Sequence, residues 1–267
     1  MGITIKAGKK MNIFKYTRRV TFELSNMCNF ACFHKKCPAF DVQHNKIVLP
    51  SKIYYETLDV LGKYNFGEQQ LPFIGNIHLP SISFQLYNEP LIDPRLFMLI
   101  EKAKQKVPKA NILLWSNGWY LDDTLMEELI DVGTNIFVFS GYTIKDRVRL
   151  RGLKNRFQGK AKEIVIFARP AGSFDNRKDI YNEPEEAISN EACGAPLSDI
   201  SIRSTGDFVL CCRDWKNQVV FGNLHEKNLE QILLEKWDDI EKIYKELVAG
   251  NRDCLGICKN CLRWRRP

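Results

Sequence analysis

The chain has 267 residues, 45% of them hydrophobic and 11% aromatic, which is enough for the core of one large domain or one domain with an appendage. No apolar run nears the length of a membrane span and no basic-then-apolar leader opens the chain, so a cytoplasmic protein is expected rather than a spanning or secreted one. The formal charge of +7 is modest and partly local: Lys259, Arg263, Arg265 and Arg266 crowd the C-terminal end, a pattern more often a solvated end than a nucleic-acid surface.

From about residue 19 to 168, β-rich runs alternate with helical patterns. Strands are predicted at 19–24, 81–87, 111–116, 135–140 and 163–168. Asp93-Pro94 offers a cap and a first-turn proline to a helix carrying Leu96, Phe97, Ile100 and Ala103, stopped by Pro108. A second helix starts near Asp122, carries Leu125, Met126, Leu129 and Ile130, and ends at Gly133. Such alternation predicts an α/β fold of parallel strands with helices outside, open or curled into a barrel. In either form the chemistry gathers at the C-terminal ends of the strands. Pro170, Gly172, Asn176, Asn182 and Pro184 then break all periodicity, which predicts a linker or substrate-facing loop over 169–192. Strands at 199–203 and 207–211 flank Ser204-Thr205-Gly206, a hairpin signal. One amphipathic helix follows from Asn228, with Leu229, Ile232, Leu233, Trp237, Ile240, Tyr244 and Leu247 at helical period, and Gly250 ends it.

Nine cysteines, an odd number in a chain expected to be cytoplasmic, point to thiolates used as ligands rather than disulfides. Cys28, Cys32 and Cys37 lie within ten residues, directly after the first predicted strand. Three thiolates holding a [4Fe–4S] cluster leave one iron open, whereas a structural zinc ion takes four protein ligands. His34 offers itself as such a fourth ligand, so the triplet alone leaves both metals open.

The stretch from Glu23 through Cys32 resembles the first strand and cluster loop of radical S-adenosylmethionine (SAM) enzymes. It differs from that family in having four residues, not two, between Cys32 and Cys37, and Lys36 in place of an aromatic residue. Asn88-Glu89-Pro90 resembles the family's Gly-Glu-Pro motif, which receives the SAM amino group. Ser116-Asn117 and Ser140 close the third and fourth strands, where the family places further SAM contacts. The resemblance implies a partial (β/α)6 barrel over residues 1–180.

The final 75 residues hold Cys193, Cys211, Cys212, Cys254, Cys258 and Cys261. Their spacing, with the hairpin around Gly206 and a closing Cys-x-x-Cys, resembles the SPASM domain in its shortened, Twitch form, a hairpin plus helix over 181–267. That resemblance implies one auxiliary [4Fe–4S] cluster on Cys193, Cys211, Cys258 and Cys261. Adjacent residues on a strand face opposite sides, so either Cys211 or Cys212 is a ligand by pattern alone; the distance to Gly206 favours Cys211. A four-cysteine zinc ribbon on a basic tail, contacting nucleic acid, is the alternative from another class.

Within the family the chain is most similar to the 2-deoxy-scyllo-inosamine dehydrogenase-like enzymes. This implies reductive cleavage of SAM to a 5′-deoxyadenosyl radical, hydrogen abstraction from a small hydroxylated substrate, and an auxiliary cluster that accepts an electron. Arg169 and Arg177 are candidates to handle the hydroxyl proton, and a spare thiol, Cys212 or Cys254, is a candidate hydrogen donor if the reaction is instead an epimerisation. The expected partners are a small-molecule substrate and a reducing protein such as flavodoxin or ferredoxin, with no membrane and no nucleic acid. A peptide substrate is the alternative, disfavoured by the fewer than twenty residues before the first strand, too few for an added peptide-recognition module.

Overall fold

Regular spacing of β-branched and aromatic residues, interrupted by glycine, asparagine and proline, folds the chain around one eight-stranded sheet. The computed structural model describes residues 12–30, 45–69, 79–168, 192–259 and 261. The strands are β1 (Arg19–Phe22), β2 (Ser81–Ser83), β3 (Asn111–Ser116), β4 (Ile136–Gly141), β5 (Glu163–Ala168), β6 (Asp199–Ile202), β7 (Asp207–Val209) and β8 (Val220–Asn223). Their order is β5-β4-β3-β2-β1-β6-β7-β8. The first six in that order run parallel; β7 and β8 turn antiparallel. The α/β partial barrel expected from the sequence is therefore the fold. The hairpin expected after residue 199 is also present, and its first strand has a second role: β6 lies parallel to β1, from Arg19 opposite Asp199 to Phe22 opposite Ile202.

The second strand is shorter than predicted, and Asn88 is the reason. Its side-chain oxygen accepts from the Leu86 amide at 2.9 Å, and its amide donates to the Phe84 carbonyl at 3.0 Å. Backbone groups that would have continued the ladder are thereby tied into a turn.

Helices α1 (Ser51–Lys63), α2 (Leu96–Lys106), α3 (Asp123–Asp131) and α4 (Ile144–Phe157) cover one face of the parallel strands. Alternation along β3 and β4 splits the two faces. Ile112, Leu114, Phe137 and Phe139 join the main core with helix residues such as Leu99, Leu129 and Leu150, while Leu113, Ile136 and Val138 form a separate cluster with Trp115, Val165 and Phe167. Asp93 caps the approach to helix α2 as expected, accepting from the Arg95 amide at 3.0 Å and holding the Arg95 guanidinium, and the regular helix begins at Leu96. Helix α3 begins as predicted, with Asp122 accepting from the Leu125 amide at 2.8 Å. The single C-terminal helix expected is jointed into α5 (Leu229–Glu235) and α6 (Trp237–Val248). Lys236 sits between them at φ −103° and ψ 8°, yet still bonds Ile232 behind and Ile240 ahead. A short α7 (Gly256–Lys259) follows. Among the described residues no helix is long and apolar enough to cross a membrane.

Candidate active site

The C-terminal ends of β1, β2, β3 and β6 converge, and two buried carboxylates mark the place. Glu89, two per cent exposed, follows the Asn88 turn after β2. One carboxylate oxygen accepts from the Ser116 hydroxyl at 2.7 Å and the Leu91 amide at 3.1 Å; the other accepts from the Asn117 amide at 2.8 Å. Pro90 opens a short 3₁₀ turn, Pro90–Ile92, that presents the Leu91 amide to this carboxylate. Among the described residues no cation pairs with Glu89. Burial therefore pushes its carboxyl up to about 7, against the pull of three neutral donors.

The first cysteine loop is bound to this carboxylate's own backbone. The Glu89 amide donates to the Met27 carbonyl at 2.8 Å, immediately before Cys28. Asn117 reaches over to Asn29 at 2.7 Å. At the base of the loop, Asn26 bonds the Asn45 carbonyl at 2.6 Å and the Ile47 amide at 2.9 Å. Cys32, His34, Lys36 and Cys37 lie outside the described residues, as do Arg169 and Arg177. Of the remaining residues expected near SAM, Asn88 uses both ends of its amide within its own turn, and Ser140 accepts from the Trp115 indole at 3.0 Å.

Sequence reasoning missed the second carboxylate. Glu23, fully buried just beyond β1, pairs with the buried Arg203 guanidinium at 2.9 Å. The same oxygen accepts from the amide and hydroxyl of Ser204, both at 2.9 Å. Its other oxygen accepts from the Tyr87 amide at 3.3 Å. The only local signal was a charged residue at an alternate, inward position of each strand; the partners are 180 residues apart.

The C-terminal thiols gather near the end of this network. Burial pushes Cys211 up, and nearby Cys212, Cys261 and Cys193 push it further. Cys258 rises to about 12 through burial and then through Cys261, Cys193 and Cys254. Cys261 is raised by burial, against the Arg213 and Arg252 guanidinium groups, which pull it down. Cys193 and Cys261 act on Cys211 and Cys258 alike, and the exposed Cys212 also acts on Cys211 and Cys261. Burial of this kind disfavours the thiolate forms of Cys211, Cys258 and Cys261 unless a cationic centre neutralises them. Among the described residues no three His, Cys, Asp or Glu side chains close tightly around a single metal ion.

Comparisons with known proteins agree with this arrangement. The model of the SPASM iron–sulfur cluster-binding domain matches residues 193–262. The S-adenosyl-L-methionine-dependent 2-deoxy-scyllo-inosamine dehydrogenase of Niallia circulans is 24% identical over 246 residues, 91% of this chain and 91% of that protein. The crystal structure of BtrN in complex with AdoMet and 2-DOIA superposes with a TM-score of 0.70 at 22% identity, covering 92% of this chain and 93% of that one. Native anSMEcpe with bound AdoMet gives 0.55 at 12% identity, covering 85% and 83%. The likeness to radical SAM proteins with an auxiliary cluster domain, first read from the motifs, is borne out by these matches.

Proposed function

We propose that this chain is a radical SAM oxidoreductase that oxidises a small hydroxylated, sugar- or aminocyclitol-like substrate and uses an auxiliary [4Fe–4S] cluster as electron acceptor. The observation that carries it is Glu89: a buried carboxylate with no cation partner among the described residues, bonded through its own amide to the residue before Cys28. Such a group is a receptor for a cationic ligand, and the SAM ammonium is of that kind. The likeness to a SAM-dependent aminocyclitol dehydrogenase supports the substrate class.

Cys28, with Cys32 and Cys37, would hold the SAM-binding cluster; Cys193, Cys211, Cys258 and Cys261 would hold the auxiliary one. When bound, these groups supply reductive cleavage of SAM to a radical that takes a hydrogen atom from the substrate, and a sink for the electron left behind. The chain's own residues do the rest. Glu89 orients the ammonium, Ser116 and the Asn117 amide hold Glu89 in place, and the Asn26 bonds close the base of the cluster loop. The face away from the helices divides into a polar side, where Thr21 and Ser83 hydroxyls meet at 2.9 Å, and an apolar side, where Trp115 stacks on Phe167. A polyol has both kinds of surface to offer such a cleft. Arg169 or Arg177 would assist loss of the hydroxyl proton to solvent, as a permanently charged guanidinium that favours the alkoxide form of the substrate. The division at about residue 180 into barrel and auxiliary domain belongs to the same proposal, as do a flavodoxin or ferredoxin reductant and a cytoplasmic location.

Anaerobic purification tests the reading. A brown, oxygen-labile protein with about seven to eight irons is expected, releasing 5′-deoxyadenosine from SAM on reduction. A colourless protein with two zinc ions and salt-sensitive binding to nucleic acid would sink it. The exposed thiol of Cys212 supports a second outcome, epimerisation. Product mass separates the two, since oxidation removes two hydrogens and epimerisation none.

A further inference from the structure

Leu86 and Tyr87 form a small buried packing group separate from the main core, and the half-buried residues packed against it are Cys28 and Trp215. One belongs to the first cysteine loop; the other lies four residues beyond Cys211. Tyr87, two per cent exposed, does more than fill space between them. Its hydroxyl donates to the Cys212 carbonyl at 2.5 Å, and its amide donates to Glu23 at 3.3 Å. The Arg203 guanidinium lies over its ring, 4.6 Å from the centroid. Arg203 in turn donates to the Trp215 carbonyl at 3.2 Å and the Asn217 side chain at 2.7 Å, fastening the far end of the same loop.

We propose that Tyr87 is a positioning residue that fixes the auxiliary-cluster loop against the barrel mouth, with its hydroxyl holding the peptide between Cys212 and Arg213 in one orientation beside the Cys211 ligand. The inference rests on the two-cluster reading above. Three constraints set Tyr87 in place: the β1 carboxylate, the stacked guanidinium and the packing beside Cys28. It transmits that placement through one short hydrogen bond. Peptide dipoles and hydrogen bonds around a cluster's sulfurs tune its potential, so loss of this bond has an electronic signature as well as a mechanical one.

The test is Tyr87→Phe in the holoenzyme, which keeps the ring and removes the hydroxyl, with Leu86→Met as the control for packing alone. Iron content is measured, and potential-poised electron paramagnetic resonance follows the signal that SAM does not alter. The expected result is a three- to tenfold change in the oxidised-to-reduced ratio of that signal at the wild-type midpoint, about 30–59 mV for a one-electron couple. The SAM-sensitive signal stays unchanged. Loss of roughly half the iron, confined to the SAM-insensitive signal, supports the proposal equally. Three outcomes overturn it. They are an unshifted signal in a fully loaded Tyr87→Phe protein, an equal shift in Leu86→Met, and loss of both signals together. A wild-type protein that never shows a second cluster overturns the two-cluster reading itself, and is distinguished by its iron content.

Discussion

Glu23 and Glu89 sit at the mouths of neighbouring parallel strands, both closed off from water, yet they are neutralised in opposite ways. Glu23 has a protein cation, Arg203 at 2.9 Å, with the Ser204 amide and hydroxyl on the same oxygen. Glu89 has neutral donors alone among the described residues, and burial raises its carboxyl to about 7. A buried charge with its partner built in is structural, and removing one side leaves the other stranded. One whose partner is missing is poised for a ligand that brings it. The difference teaches which of two similar side chains to assign to the fold and which to the chemistry.

Breaking the first pair gives the largest effect. Arg203→Met leaves Glu23 buried with neutral donors only, so a stability loss of about 3–5 kcal/mol is expected in chemical denaturation, and the double variant Glu23→Leu/Arg203→Met recovers much of it. Glu89→Gln acts instead on SAM. Equilibrium binding to the cluster-loaded protein should weaken about 10- to 100-fold, from loss of a charged hydrogen bond to the ammonium. An amide there also turns a donor toward one of the groups that now donate to Glu89, so some stability goes with it.

The comparison sharpens with pH. The folded-state pKa of Glu89, about 7, lies above the ordinary carboxylate value of 4.5. Its contribution to stability is therefore present at low pH and lost as pH rises through 7. SAM binding runs the other way, because the ammonium needs the carboxylate. Affinity should fall about tenfold per unit as pH drops below 7, and this dependence should vanish in Glu89→Gln. The smallest change is Ser116→Ala, which removes one neutral donor. It should weaken SAM binding only about fivefold, roughly 1 kcal/mol, and move the pH dependence upward.

Glu89 was legible in the sequence because its motif is local: a strand ends, and a proline fixes the turn beside it. All the strands but β8 were legible for a similar reason, with β3 and β5 matching their predicted limits. Three helices were not, the short α7 among them. Helix α4 buries Leu150, Leu153 and Phe157 among arginines and lysines, so its apolar stripe is thin; the Thr143–Asp146 capping box was its best signal. Helix α1 carries Ile53, Tyr54, Leu58 and Leu61 at helical spacing and stood unread between the first two strands. Glu23 and Arg203 were invisible as a pair because nothing in either neighbourhood announces a partner so distant in the chain. The parallel union of β1 with β6 escaped for the same reason, since the hairpin signal accounts for only one edge of β6.

That union governs the order of assembly on the ribosome. β1 precedes β6 by 180 residues in the chain, yet they are adjacent staves, so one flank of β1 stays open until β6 has been made. The mouth where the first cluster is to be seated cannot take its final shape until the C-terminal third has emerged. A product truncated before residue 199 would therefore present a raw strand edge to its neighbours, a natural point for aggregation.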